Sequence, residues 1–116
     1  MLNASEALAM AMQELIDANM AAREVMRRNE ERLRRAMKNL EHGFDVQSAI
    51  QMARPGAPRQ STNDVLDSYE AARHKLRRVM IGELLAAGMS IGEIGGHWGF
   101  SRQLASRYAK EAQASY

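Results

Sequence analysis

The chain has no cysteine, only two prolines and only six large aromatic residues among its 116. Without cysteine there is no disulfide framework, no thiolate zinc finger, no cysteine-held iron–sulfur cluster and no thiol nucleophile. The scarcity of aromatics beside abundant Ala, Leu, Met, Arg and Glu argues for helices over strands. The longest apolar runs, Ala7 to Met12 and Leu84 to Met89, reach about six residues, against the roughly 20 that span a bilayer. No base precedes Arg23, so the start does not read as a secretory signal. Nucleophile–base sets and glycine-rich phosphate loops are also missing, which argues against an enzyme and a cofactor. The expectation is a soluble, cytoplasmic, all-α protein of one domain or two small ones.

The net charge of +2 is unevenly laid out. Residues 1–22 carry Glu6, Glu14 and Asp17 and no base. Residues 23–41 hold seven bases against four acids, and from Arg73 onward seven bases face three acids. A basic C-terminal part suits a polyanionic partner, because neutralising phosphates releases their counterions.

From about Ser5 to His42 there is neither Gly nor Pro, and apolar residues recur at alternating spacings of four and three. The series Leu8, Met12, Leu15, Asn19, Ala22, Met26, Asn29, Leu33, Ala36 and Leu40 predicts a heptad seam, with Met12, Asn19, Met26, Leu33 and Leu40 at its a positions. Asn19 and Asn29 interrupt it; a buried Asn at an a position restricts register and oligomeric state. Ile16, Val25 and Met37 widen the stripe, so a bundle fits as well as a two-stranded coil. Glu24/Arg28, Glu30/Arg34 and Glu31/Arg35 have the favourable order for exposed helical pairs. A helix of about 38 residues, near 57 Å long, is more than so small a chain can cover. Self-association through Leu8, Met12, Leu15, Asn19, Met26, Leu33 and Leu40 is therefore expected; packing on the same chain is the alternative.

His42-Gly43 reads as a helix end, and Asp45 as the cap of a short helix through Met52. The segment Ala53 to Asn63 holds both prolines and little to bury, and reads as a linker. A helix is expected from about Asp64 to Ala87, with Leu66, Tyr69, Ala72, Leu76, Val79 or Met80, and Leu84 on its apolar side. The expected organisation is a helical oligomerisation region over 1–52, a linker over 53–63, and a C-terminal domain over 64–116. Within it, His74 lies among Arg73 and Lys75 and reads as exposed.

The informative segment runs from Leu84 to Ala112. Gly88 ends one helix, Ser90-x-x-Glu93 is a capping box, Gly99 allows a tight turn, and Ser101 caps a last basic helix. Ile94, Trp98, Phe100, Ala105 and Tyr108 are expected to point inward, with Gly95 where the two helices approach most closely. Glu93 and His97 stand four apart, but with no third ligand nearby they read as a surface pair rather than a metal site.

This segment resembles the helix-turn-helix of site-specific resolvases, sigma-factor promoter-reading regions and small bacterial repressors, over about 28 residues. Gly95-Gly96 and Leu104-Ala105 depart from the usual residues of that pattern. The resemblance implies a double-stranded DNA partner and carries the outward recognition positions onto Ser101, Arg102, Gln103, Ser106, Arg107 and Lys110. Arg can pair with a guanine edge, Gln with adenine, and Ser and Lys with phosphates. The expected function is that of a sequence-specific transcriptional regulator of a bacterium or phage, nucleoid-associated and binding as a homodimer. The alternatives are an adaptor whose N-terminal helix binds another protein, and a phage DNA-packaging recognition subunit.

Overall fold

The computed structural model describes residues 2–54, 56 and 58–114. Its elements are α1 (Ala4–Glu41), α2 (Val46–Ala53), α3 (Arg59–Ala86), α4 (Ile91–Trp98) and α5 (Arg102–Ala114). Among the described residues there is no strand, and no helix is long and apolar enough to cross a membrane. The all-helical class and the long N-terminal helix are as expected.

Each helix end has a local cause. Asn3 Oδ1 accepts from the Glu6 amide at 2.8 Å, while the Glu6 carboxylate accepts from the Asn3 amide at 3.2 Å. This reciprocal cap satisfies donors that the first turn cannot use internally. Gly43, at φ +86°, ends α1, and the Phe44 amide donates back to the Asn39 carbonyl. Asp45 caps α2 by accepting from the Ser48 amide at 2.7 Å, which holds its carboxyl below the usual range.

The start of α3 differs from expectation. The Thr62 amide donates to the Pro58 carbonyl at 2.8 Å, so Arg59 to Asn63 form its first turn rather than the end of a linker. Proline is compatible with a helix start, where its missing N–H costs nothing. The polar residues that read as linker are used within the helix: the Gln60 amide donates to Asp64, and Thr62 Oγ1 accepts from Asn29. Pro55 and Ala57 lie outside the described residues.

The chain divides into two compact units. One is Ile16–Glu70, so the expected boundary at 53–63 falls inside it. There Asn29 Nδ2 donates to Thr62 Oγ1 at 3.2 Å, and Ala22 and Ala49 are buried. Asn29 is thus part of a packed face. Along this part of α1 the expected seam splits: Ala22, Asn29 and Ala36 are buried or half-buried, while Asn19, Met26, Leu33 and Leu40 are exposed. The packed face runs instead through Ala18, Ala22, Val25, Asn29, Arg32 and Ala36, where mostly small side chains permit close approach. On the solvent side Glu24–Arg28 (3.1 Å) and Glu30–Arg34 (3.3 Å) pair as expected, while Glu31 pairs with Arg27.

The other unit joins the start of the chain, through Leu15, to the segment from Ala71 onward. Here too Leu8 and Leu15 are half-buried while Met12 is exposed. Glu14 on α1 pairs with Lys75 on α3 at 2.8 Å. The core gathers Ile81, Ile94, Ala109 and Ala112, with Leu84, Leu85, Met89, Trp98 and Tyr108 packed against it. Ile81 is fully buried although the period-based reading of α3 did not select it. It lies on the helix side opposite Ala72, Leu76 and Val79, so the C-terminal half of α3 buries two faces.

Candidate nucleic-acid interface

Residues 84–114 are built by consecutive caps and turns. The Gly88 amide donates to the Leu85 carbonyl and the Met89 amide to the Leu84 carbonyl, both at 3.0 Å. With Gly88 at φ +95° this closes α3 and turns Met89 onto the core. At the start of α4, Ser90 Oγ accepts from the Glu93 amide at 3.1 Å and the Glu93 carboxylate accepts from the Ser90 amide at 3.2 Å. That backbone hydrogen bond from Ser90 holds the Glu93 carboxyl below its ordinary range.

α4 is only eight residues long and contains three glycines, so its own helix propensity is low. It is held by packing. Ile94 and Gly95 are buried, Gly99 at φ +70° turns the chain, and the Phe100 amide donates to the Gly95 carbonyl at 2.9 Å. Phe100 lies edge-on to Tyr108 at 5.0 Å between ring centroids and stacks with Trp98 at 6.0 Å. The inward placement expected for Ile94, Trp98, Phe100, Ala105 and Tyr108 is observed, the aromatics being half-buried.

Ser101 caps α5, its Oγ accepting from the Leu104 amide at 3.1 Å. That leaves the hydroxyl proton available to an outside acceptor. Ala105, Ala109 and Ala112 are buried and define the inner side of α5. Gln103, Arg107 and Lys110 follow one another at spacings of four and three on the opposite, exposed side. Ser106 is half-buried at its edge. Arg102 is exposed at the first helical position, in the row of Ser106 and Ala109 rather than of Lys110. The six expected residues therefore separate into a cap, an exposed row and two flanking positions. Arg107 also lies 5.4 Å from the ring centroid of Tyr108, so it faces the flank of the helix as well as its outer side.

α3 contributes basic side chains that no motif marks. His74 is half-buried, not exposed, and Arg77 and Arg78 are half-buried beside it. The available signal was the spacing: Arg73/Arg77 and His74/Arg78 are each four apart, so bases share a helix row where opposite charges would be favoured. Among the described residues no group of three His, Asp or Glu side chains could hold a metal ion. In comparisons with known proteins, no family profile, no curated protein and no solved structure matches this chain.

Proposed function

We propose that the chain is a sequence-specific, double-stranded-DNA-binding protein of helix-turn-helix type, acting as a homodimeric transcriptional regulator in the cytoplasm of a bacterium or phage-infected cell. In this reading α4 and α5 are the two helices of the motif and α5 enters the major groove. The observation that carries it is the row Gln103, Arg107 and Lys110, exposed along the side of α5 opposite buried Ala105, Ala109 and Ala112. Among the described residues neither Arg102 nor Lys110 has an acidic partner, so their charge is available to a polyanion. The capped, glycine-tight junction supplies the rigidity that reading bases requires.

One short recognition helix supplies limited affinity, and two copies on one duplex raise it through effective concentration. The unit Ile16–Glu70 offers a surface for such pairing. Ile16, Met26, Leu33, Met37 and Leu40 lie within about a third of the circumference of α1 and are exposed, Leu33 by 64%. Met20, Phe44, Val46, Ile50 and Met52 are exposed in the same unit, and exposed apolar surface gathered in this way marks an interaction site. A second copy is the occupant this reading assigns. The same exposed residues favour the adaptor as second reading, with a different protein on that surface.

Selection of bound duplexes from a random pool, followed by anisotropy across a salt series, tests the function. Enrichment of one sequence, with affinity falling as salt rises, is expected. Recovery of an unenriched pool and no binding at low salt would remove the DNA reading and leave the adaptor.

A further inference from the structure

A cleft of about 590 Å³ opens beside the core of the C-terminal segment, lined by Arg73, Arg77 and Arg78 of α3 and by Arg107 of α5. Half-buried aromatic rings form part of its wall. Its position on α3 is unusual. The helix rows that carry Ile81, Leu84 and Leu85 into the core carry Arg73, His74, Arg77 and Arg78 in the turns before. Repeated bases at a spacing of four oppose helix formation, and such conflicts are retained where the site has a task.

Arg77 is held in place. Its side chain is 15% exposed, its guanidinium carbon lies 3.7 Å from the ring centroid of Tyr108, and its Nη2 is 3.6 Å from the Glu111 carboxylate. Nε of Arg77 is buried and has no hydrogen-bond partner. A planar guanidinium is thus fixed in orientation against the ring, its buried Nε enclosed by protein. Among the described residues Glu111 is the one acid lining the cleft, and neither Arg78 nor Arg107 is paired with an acid. The residues lining the cleft therefore carry a surplus of positive charge beside the aromatic rings.

Several guanidinium groups lining one cleft match the charge of a phosphate better than that of a single carboxylate. Arg107 connects the cleft to the exposed row of α5, so a strand lying along Gln103 and Lys110 passes its mouth. We propose that this cleft is a phosphate-ester site, and that its ligand is a backbone phosphate of the nucleic acid lying along α5. The choice of ligand rests on the DNA-binding reading; a free nucleotide would offer the same chemistry.

Trp98 is the sole tryptophan and lines the cleft, so its fluorescence reports occupancy. The full chain, the Arg73→Gln/Arg78→Gln variant and the Arg77→Lys variant are each titrated with a random-sequence duplex across a salt series, and separately with adenosine monophosphate. Circular dichroism checks that the variants stay helical. Arg77→Lys keeps the charge without the planar fork, and is expected to keep the parent salt slope while binding several-fold more weakly. The double variant is expected to lower the salt slope by at least about one unit, equally on any sequence. It should also lose the Trp98 response to duplex. An unchanged duplex slope with loss of the mononucleotide response would keep the phosphate site and assign it to a free ester. If the variants match the parent in both titrations, the cleft is not a phosphate site. Should the parent bind no duplex, the DNA reading fails while the mononucleotide titration still decides the cleft.

Discussion

A β-carbon built on Gly95 would lie 3.2 Å from the β-carbon of Ala105 and 3.3 Å from the Phe100 carbonyl oxygen. The junction of α4 and α5 is therefore set by the absence of one side chain and the small size of another. Gly95→Ala should gain up to ~1 kcal/mol in helix propensity but lose about 1–3 kcal/mol to overpacking against backbone that cannot move freely. The net effect is expected to be a lower melting temperature. A β-carbon on Gly96 meets nothing within 4 Å, so Gly96→Ala should raise stability by up to ~1 kcal/mol. Thermal unfolding followed by circular dichroism separates the two; equal stabilisation by both would remove the close approach.

The two ends of α5 make a second prediction. If α5 enters the major groove as proposed, Arg102 at its N-terminal end meets base edges, whereas Lys110 two turns later meets phosphates. Arg102→Ala should cost about 1–3 kcal/mol on the preferred sequence and much less on random duplex. Lys110→Ala should weaken both about equally and reduce the salt slope by about one unit. Two variants that bind like the parent while remaining helical would move recognition off this helix.

Much of this arrangement was legible because it is local. The caps at Asp45, Ser90 and Ser101 and the turns at Gly43, Gly88 and Gly99 depend on residues at most five apart, and each is visible as a residue type at a fixed offset. What periodicity could not settle was which flank of α1 packs and where α3 begins. Small residues such as Ala18 and Ala22 carry little hydrophobic signal yet permit close packing, while Met26 and Leu33 carry more and stay exposed. The first turn of α3 reads as linker because Ser, Thr and Asn favour turns in isolation; Thr62 is retained by its bond to Asn29, 33 positions away. The cleft was missed for a related reason, since its arginines come from α3 and α5 and share no contiguous motif.

The exposed flank of α1 predicts an association that charge should break. Leu33→Glu together with Met37→Glu places two carboxylates on the apolar surface at positions already exposed, so the helical fold should be unaffected. The parent is expected to sediment at least as a dimer at micromolar concentration and the variant as a monomer with the same helical content. Asn19, exposed in the row of Met26, should limit the choice of register; Asn19→Leu is expected to raise stability and broaden the distribution of oligomers. A parent that sediments as a monomer would leave this surface without a second copy.

The caps also predict how the chain responds to acid. The Ser90 backbone hydrogen bond lowers the Glu93 carboxyl from its ordinary 4.5, and the Ser48 backbone hydrogen bond lowers that of Asp45 from 3.8. A carboxyl with a folded value below its unfolded one binds protons more readily in the unfolded chain, so unfolding is favoured as pH falls. The stabilisation is complete above the ordinary value and is lost as pH drops through the depressed folded value. Glu93→Gln retains an acceptor for the Ser90 amide but does not titrate. It should therefore melt below the parent at neutral pH, where the charged cap also interacts with the helix N-terminus. That difference should narrow below pH 4.5, the parent losing more of its melting temperature than the variant over the same interval. Parallel curves for the two proteins would mean that Glu93 does not couple its proton to the folding of α4.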